Sequence, residues 1–200
     1  MSTQSQDDFS VPYEKLPVTA RPVTEAPITL GGAGGASPTP GGGTRRLIAT
    51  RADFHAGAAE VMALATRELR IFDTDLSELG FNSAEMEERI GKLLHGSRTN
   101  RLLIAVREIE YITQSCPRLI RLLRQYGHAI FIHQINDAIR NLEDIMVIAD
   151  DAHYLRRPNF EQPKGAVVLN DANETRGWLN RFEEIWEQST PAVSATTLGL

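Results

Sequence analysis

Residues 145–160 read IMVIADDAHYLRRPNF. An apolar β-branched run meets Asp150 and Asp151, turns, and returns through His153-Tyr154-Leu155-Arg156-Arg157. Aspartates suit a tight turn because their side chains bond nearby backbone and tolerate left-handed geometry, so the stretch predicts a β-hairpin. Side chains alternate along a strand, so His153 shares a face with Leu155 and not with Arg156.

Outward from the hairpin the pattern changes character. GAVVLND (165–171) follows as a third strand-like run, with little room for helices between the three. Upstream, strands and helices alternate. RRLIAT (45–50) is a short strand, and Thr50 with Asp53 caps a helix carrying Phe54, Ala58, Val61, Ala65 and Leu69 at helical spacing. LRIFDTDL (69–76) is a β-branched and aromatic strand ending in acids. Asn82 with Glu85 marks the next cap, Met86, Ile90, Leu93 and Leu94 the buried face, and Gly96 the stop. RLLIAV (101–106) is nearly continuous in apolar residues, as expected of a strand covered on both faces. Pro117 opens a helix lined by Leu119, Leu122, Leu123 and Tyr126 and ended by Gly127, and AIFIH (129–133) is another strand. A last helix, from about Glu174 to Gln188, carries Trp178, Leu179, Phe182, Ile185 and Trp186 on a core-facing stripe. The alternation predicts an α/β fold with a mostly parallel central sheet covered by helices, closed by the hairpin and the final helix.

Composition sets the wider frame. Residues 1–43 are rich in Gly, Pro, Ser and Thr with little to bury, so they are expected to form a disordered arm. The α/β domain is expected over 44–189, and 190–200 as a C-terminal tail. The net charge of −5 provides no broad basic field, which makes nucleic acid an unlikely partner. RTNR (98–101) and RLIRLLRQY (118–126) are local basic surfaces, with Arg118, Arg121 and Arg124 along one helix side. The single cysteine, Cys116, excludes an intrachain disulfide. No apolar stretch is long enough to span a bilayer, and MSTQSQDDFS lacks the features of a signal peptide, so the expected location is cytoplasmic.

The order of elements resembles one half of the phospholipase D-like fold. ATRELRIFDTDL resembles the opening unit of that family and RTNRLLIAV the second. IMVIADDAHYLRRPNF resembles the signature hairpin, in which a strand ends in aspartate and the return strand runs to a Gly-Ser-x-Asn turn. RFEEIWEQS resembles the final helix with its Phe-x-x-x-Trp. The likeness covers residues 46–189. RELRIFDTDLSELGFNS, CPRLIRLLRQY, VIADDAHYLRR and the ending VSATTLGL are similar to a group of uncharacterised proteobacterial proteins, relatives of which are sometimes joined to acyltransferase domains.

The resemblance implies a chemistry that the residues do not supply. Active members use His-x-Lys-x-x-x-x-Asp: the histidine attacks phosphorus, the lysine stabilises phosphate charge, and the aspartate supports the constellation. With the aspartate on Asp150, the histidine position is Glu143 and the lysine position Ile145; with it on Asp151, they are Asp144 and Met146. The Gly-Ser-x-Asn turn becomes Arg156-Arg157-Pro158-Asn159. Only Asp150 and Asn159 carry over. Arg156 and Arg157 could still hold an anion bidentately, and His153 lies just past the turn. Asp73 and Asp75 at a strand end, with Arg107, Glu108 and His133 beyond neighbouring strand ends, could share a rim where open α/β sheets gather ligand groups. The candidate ligand-binding set is therefore Asp73, Asp75, Arg107, His133, Asp150, His153, Arg156, Arg157 and Asn159. No metal or cofactor site is expected, because His55, His95, His128, His133 and Cys116 lack ligand spacing. Three functions stay open: a catalytically inactive binding or scaffolding module, an enzyme of different chemistry using the strand-end acids, and an accessory domain beside an acyltransferase. Expected partners are a protein or an anionic ligand. A homodimer is also expected, because half of a two-half fold leaves an apolar face unpaired.

Overall fold

The computed structural model describes residues 35–194. In chain order the elements are β1 (Ser37–Pro38), β2 (Thr44–Ile48), α1 (Arg51–Leu64), β3 (Glu68–Asp73), α2 (Ala84–Gly96), β4 (Arg101–Val106), α3 (Glu110–Ser115) and α4 (Pro117–Gln125). They continue with β5 (Ile130–Ile135), β6 (Ile145–Ala149), β7 (His153–Arg157), β8 (Gly165–Leu169), α5 (Ala172–Glu187) and β9 (Ser189–Val193). Single 3-10 turns occupy Ser77–Leu79 and Asp137–Ile139. These residues all belong to one compact unit, Gly32–Leu200.

The strands form one sheet of nine in the order β1-β2-β8-β7-β6-β3-β4-β5-β9. The expectation of a mostly parallel sheet is corrected here. Only β3–β4 and β4–β5 are parallel; every other pairing is antiparallel. Helical crossovers enforce parallel pairing only between β3, β4 and β5. The short connections of β6–β7 and β7–β8 demand antiparallel partners, while β2–β8, β3–β6 and β5–β9 bring together segments distant in the chain. The hairpin is as predicted: β6 and β7 pair from Ile145↔Arg157 to Ala149↔His153.

Local chemistry accounts for the helix starts. Thr50 accepts from the Asp53 amide while the Asp53 carboxylate accepts from the Thr50 amide, a complete capping box for α1. The cap of α2 is Ser83, one residue beyond the expected Asn82, with its hydroxyl accepting from Met86. Pro117 opens α4, and the short α3 before it was not anticipated. Asp171 caps α5 through the Glu174 amide, so that helix begins earlier than expected.

Each face of the sheet has its own core. On the first face, Phe54, Val61, Leu69, Ile71, Ile104, Ile132, Val147 and Leu155 pack with α1, α2 and α4. On the second, Phe72, Ala105, Met146, Ile148, Tyr154 and Val168 receive Trp178, Phe182 and Ile185 of α5. Both ends of the domain differ from expectation. The expected arm lies outside the described residues up to 34; from 35 it contributes β1, and Gly41 donates to the Asp171 carboxylate at 3.1 Å. The first residues of the expected tail are β9, an edge strand on β5, and 195–200 lie outside the described residues. Among the described residues, no helix is long and apolar enough to cross a membrane.

Candidate functional site

The last residue of β3 is the least ordinary group in the molecule. Asp73 shares the face of Leu69 and Ile71 and is buried. One oxygen, Oδ1, accepts from the Thr74 amide at 2.6 Å, while Oδ2 is buried with no hydrogen-bond partner. Burial pushes this carboxyl up to about 7; the Thr74 amide opposes the shift, the charges of Asp75 and Glu78 add to it, and Arg157 opposes it. A carboxyl in this state carries its proton at mildly acidic pH.

Arg157 lies in the same row. Carrying the β3–β6 register one residue beyond Phe72↔Met146 sets Asp73 opposite Ile145, and Ile145 pairs with Arg157. With the resembled motif's aspartate set on Asp150, its lysine position is this apolar Ile145, between a buried acid and a buried arginine. Arg157 has no exposed surface. Its guanidinium donates to the Glu78 carboxylate and the carbonyls of Phe160 and Gln162, and lies over the Phe54 ring. Glu78 has a second cation, Arg51, at 3.1 Å.

These bonds fold the β7–β8 connection, residues 158–164, back against the sheet end. The Phe160 amide donates to the Glu143 carbonyl at 3.1 Å, and Asn159 Nδ2 donates to the Glu143 carboxylate at 2.6 Å. Asn159 also accepts from the Glu161 amide and, through its carbonyl, from Gln162. The Phe160 ring receives the Arg107 guanidinium at 4.6 Å. Arg107 in turn donates to the Leu142 carbonyl and the Thr74 hydroxyl. The segment is a strap whose contacts are made at the Glu143 position itself.

The candidate residues fall into three places. Asp73, Asp75, Arg107, Arg157 and Asn159 gather at this end, although Asp75 turns its carboxylate to Ser77 at 2.9 and 2.7 Å. Arg156 and His133 lie on the opposite face. Arg156 pairs with Asp144 at 3.0 Å and stacks over Trp178, while His133 stacks on Trp186 at 3.8 Å and meets the Ser189 hydroxyl at 2.9 Å. Burial lowers the basicity of His133. The expected rim therefore excludes His133, and Arg156 and Arg157 cannot grip one anion because adjacent strand residues point to opposite faces. Asp150 and His153 sit at the far end of the hairpin. With φ 54°, Asp150 accepts from the amides of Thr66, Arg67 and Glu68 and from the Thr66 hydroxyl. Burial raises its pKa, but these bonds outweigh that and hold it below the ordinary value. His153 Nδ1 accepts from the Asn170 amide at 3.1 Å.

Sequence reasoning missed Glu78 and the strap. The signal was available: the alternation that puts His153 with Leu155 also drives Arg157 into the core, and a buried guanidinium demands an acid and carbonyls. The arginine stripe of α4 is also partly engaged, since Arg118 and Arg121 both bind Glu87 of α2. Among the described residues, no three His, Cys, Asp or Glu side chains could together hold a metal ion.

The family described as a domain of unknown function, DUF7931, matches residues 50–198. The chain belongs to DUF7931. No curated protein sequence matches it. Among solved structures, it is similar to TrmBL2, an archaeal chromatin protein with a novel mode of DNA binding: 14% identity, TM-score 0.54, covering 74% of this chain and 54% of TrmBL2. It is similar to phosphatidylserine synthase of Haemophilus influenzae Rd KW20: 14% identity, TM-score 0.53, covering 80% of this chain and 42% of the synthase. Nuc of Salmonella typhimurium, a phospholipase D family member, is 12% identical with TM-score 0.48, covering 68% of this chain and 89% of Nuc. The chain spans about half the length of TrmBL2 and less than half of the synthase. At these identities the likeness to TrmBL2 and to the synthase concerns the fold alone.

Proposed function

We propose that this DUF7931 domain is a binding or scaffolding module on a phospholipase D-like fold and does not hydrolyse phosphodiesters. The observation that carries this reading is the occupancy of the motif end. Glu143 and Ile145 stand at the histidine and lysine positions, Arg157 is committed to Glu78 and the strap, and the strap lies against Glu143. Carboxylates there repel a phosphodiester and provide no imidazole for covalent attack. Relatives of the resembled group make an acyltransferase-bearing protein one class of partner, and the cytoplasm the place of action.

The test is direct. The full chain is incubated with bis-p-nitrophenyl phosphate, with and without divalent metal, at pH 6 and 8. Release of nitrophenolate is expected to match buffer. Turnover above buffer that disappears in Glu143→Gln would overturn the reading.

An enzyme of other chemistry is favoured by one observation, the buried and unpaired Oδ2 of Asp73. That reading requires a turnover that Asp73→Asn abolishes.

A further inference from the structure

Asp73 and Arg157 are neighbours in one row, separated by an apolar side chain, yet do not bond. Arg157 spends its donors on Glu78, Phe160 and Gln162. We propose that this pair is a proton-controlled gate: protonated Asp73 leaves Arg157 to hold the strap over residues 158–164, and ionised Asp73 draws Arg157 to itself and releases the strap.

The argument begins with burial. A buried carboxylate oxygen without a partner is tolerable only while the group is neutral. Once ionised, Asp73 needs a cation, and the groups facing it offer little choice. Asp75 beyond β3 and Glu78 of the Ser77–Leu79 turn are negative and repel it. From β6 comes Ile145, without charge. Beside Asp75, from α3 and the start of α4, stand Tyr111 and Cys116, both pushed toward their neutral forms, first by burial. At the end of β4, Arg107 is held by Leu142, Thr74 and the Phe160 ring, next to the acid Glu108. Arg51 of α1 is engaged with Glu78. Arg157 of β7 is the cation whose charge already favours ionised Asp73.

Moving Arg157 toward Asp73 does not strand Glu78, because Arg51 remains on its other oxygen. It does strand the carbonyls of Phe160 and Gln162, which belong to the strap. Those two can be satisfied by water once the strap lifts, so the exchange leaves no buried group unpaired. What lifting uncovers is Glu143, Asn159 and Asp73, the end where candidate binding residues gather and where the proposed binding module would take its ligand. The gate is thus the regulation of that site, and it rests on that reading for its purpose but not for its readout.

Amide hydrogen exchange on the full-length chain tests it without any ligand. After correction for intrinsic exchange, protection of the Phe160 and Gln162 amides is expected to fall about tenfold or more between pH 6 and pH 8, relative to Val147 in the central strand. Asp73→Asn should hold the strap protected at both pH values, since its amide oxygen still accepts from Thr74. Asp75→Asn, which removes a repelling charge and keeps the acceptor for Ser77, should shift the loss of protection to lower pH. Strap protection that is flat with pH in the wild type would overturn the gate, as would an equal fall in wild type and Asp73→Asn. Either failure leaves the absence of hydrolysis untouched.

Discussion

Asp150 acts as a clasp at the hairpin turn. Its carboxylate ties the amides of Thr66, Arg67 and Glu68 to the hairpin turn. Removing these acceptors at a left-handed position should cost about 2–3 kcal/mol in Asp150→Ala, and less in Asp150→Asn, which tolerates the geometry. Equilibrium urea denaturation checks the order of the two. Asp73 has the opposite character. Its folded pKa is raised from 3.8 to about 7, so stability is full below pH 4 and falls as pH climbs toward 7. Asp73→Asn should remove that fall. The variant is expected to match the wild type near pH 4 and exceed it by about 2–4 kcal/mol at pH 8. An unchanged difference between the two proteins across this range would contradict the assignment. Of these two roles, the position of Asp73 at a strand end was legible in LRIFDTDL, because a β-branched run that meets acids marks where a strand leaves the core. Its burial was not, since Arg157 and the strap it holds arrive from a distant part of the chain.

At the level of elements, helices were the more legible. Thr50 with Asp53 and Pro117 each mark a start by local chemistry that needs no tertiary partner. The short α3 and the edge strands escaped notice because they are stabilised mainly by what they pack against. β1 is one such case. Thr39 and Gly41 sit against the Asp171 cap of α5, and a Cβ at Gly41 would collide with the Asp171 carboxylate. Truncation of residues 1–43 should therefore leave a protein less stable than truncation of 1–34, by about 1–2 kcal/mol from the lost cap bonds and strand. Equal thermal midpoints would show that β1 contributes nothing. Trp186 refines the reading of α5: it is half-buried, stacked between His133 and Phe182. Trp186→Ala should cost about 2–3 kcal/mol, below the loss for a fully buried indole.

The whole molecule shows where a linear reading fails. Alternating strands and helices correctly signal β3, β4 and β5, but pairing direction across β2, β8, β7 and β6 depends on connections between distant segments. The homodimer expectation rested on an uncovered apolar face. Among the described residues, the exposed large hydrophobics are Leu47 and Leu64, on separate elements, and the outermost strands carry Pro38 and Pro191. Proline at a sheet edge discourages strand addition. Light scattering at micromolar concentration tests the expected homodimer: a stable dimer would bear it out, and a clean monomer would remove it.

The proposed binding module holds no phosphate centre at the end where Arg157 pairs with Glu78 and Asn159 with Glu143. Isothermal titration of the full chain with inorganic phosphate and with vanadate, at pH 6 and 8, measures that centre most directly. No saturable heat is expected with either anion. Saturable binding that weakens in Asn159→Ala and Arg157→Gln would contradict it.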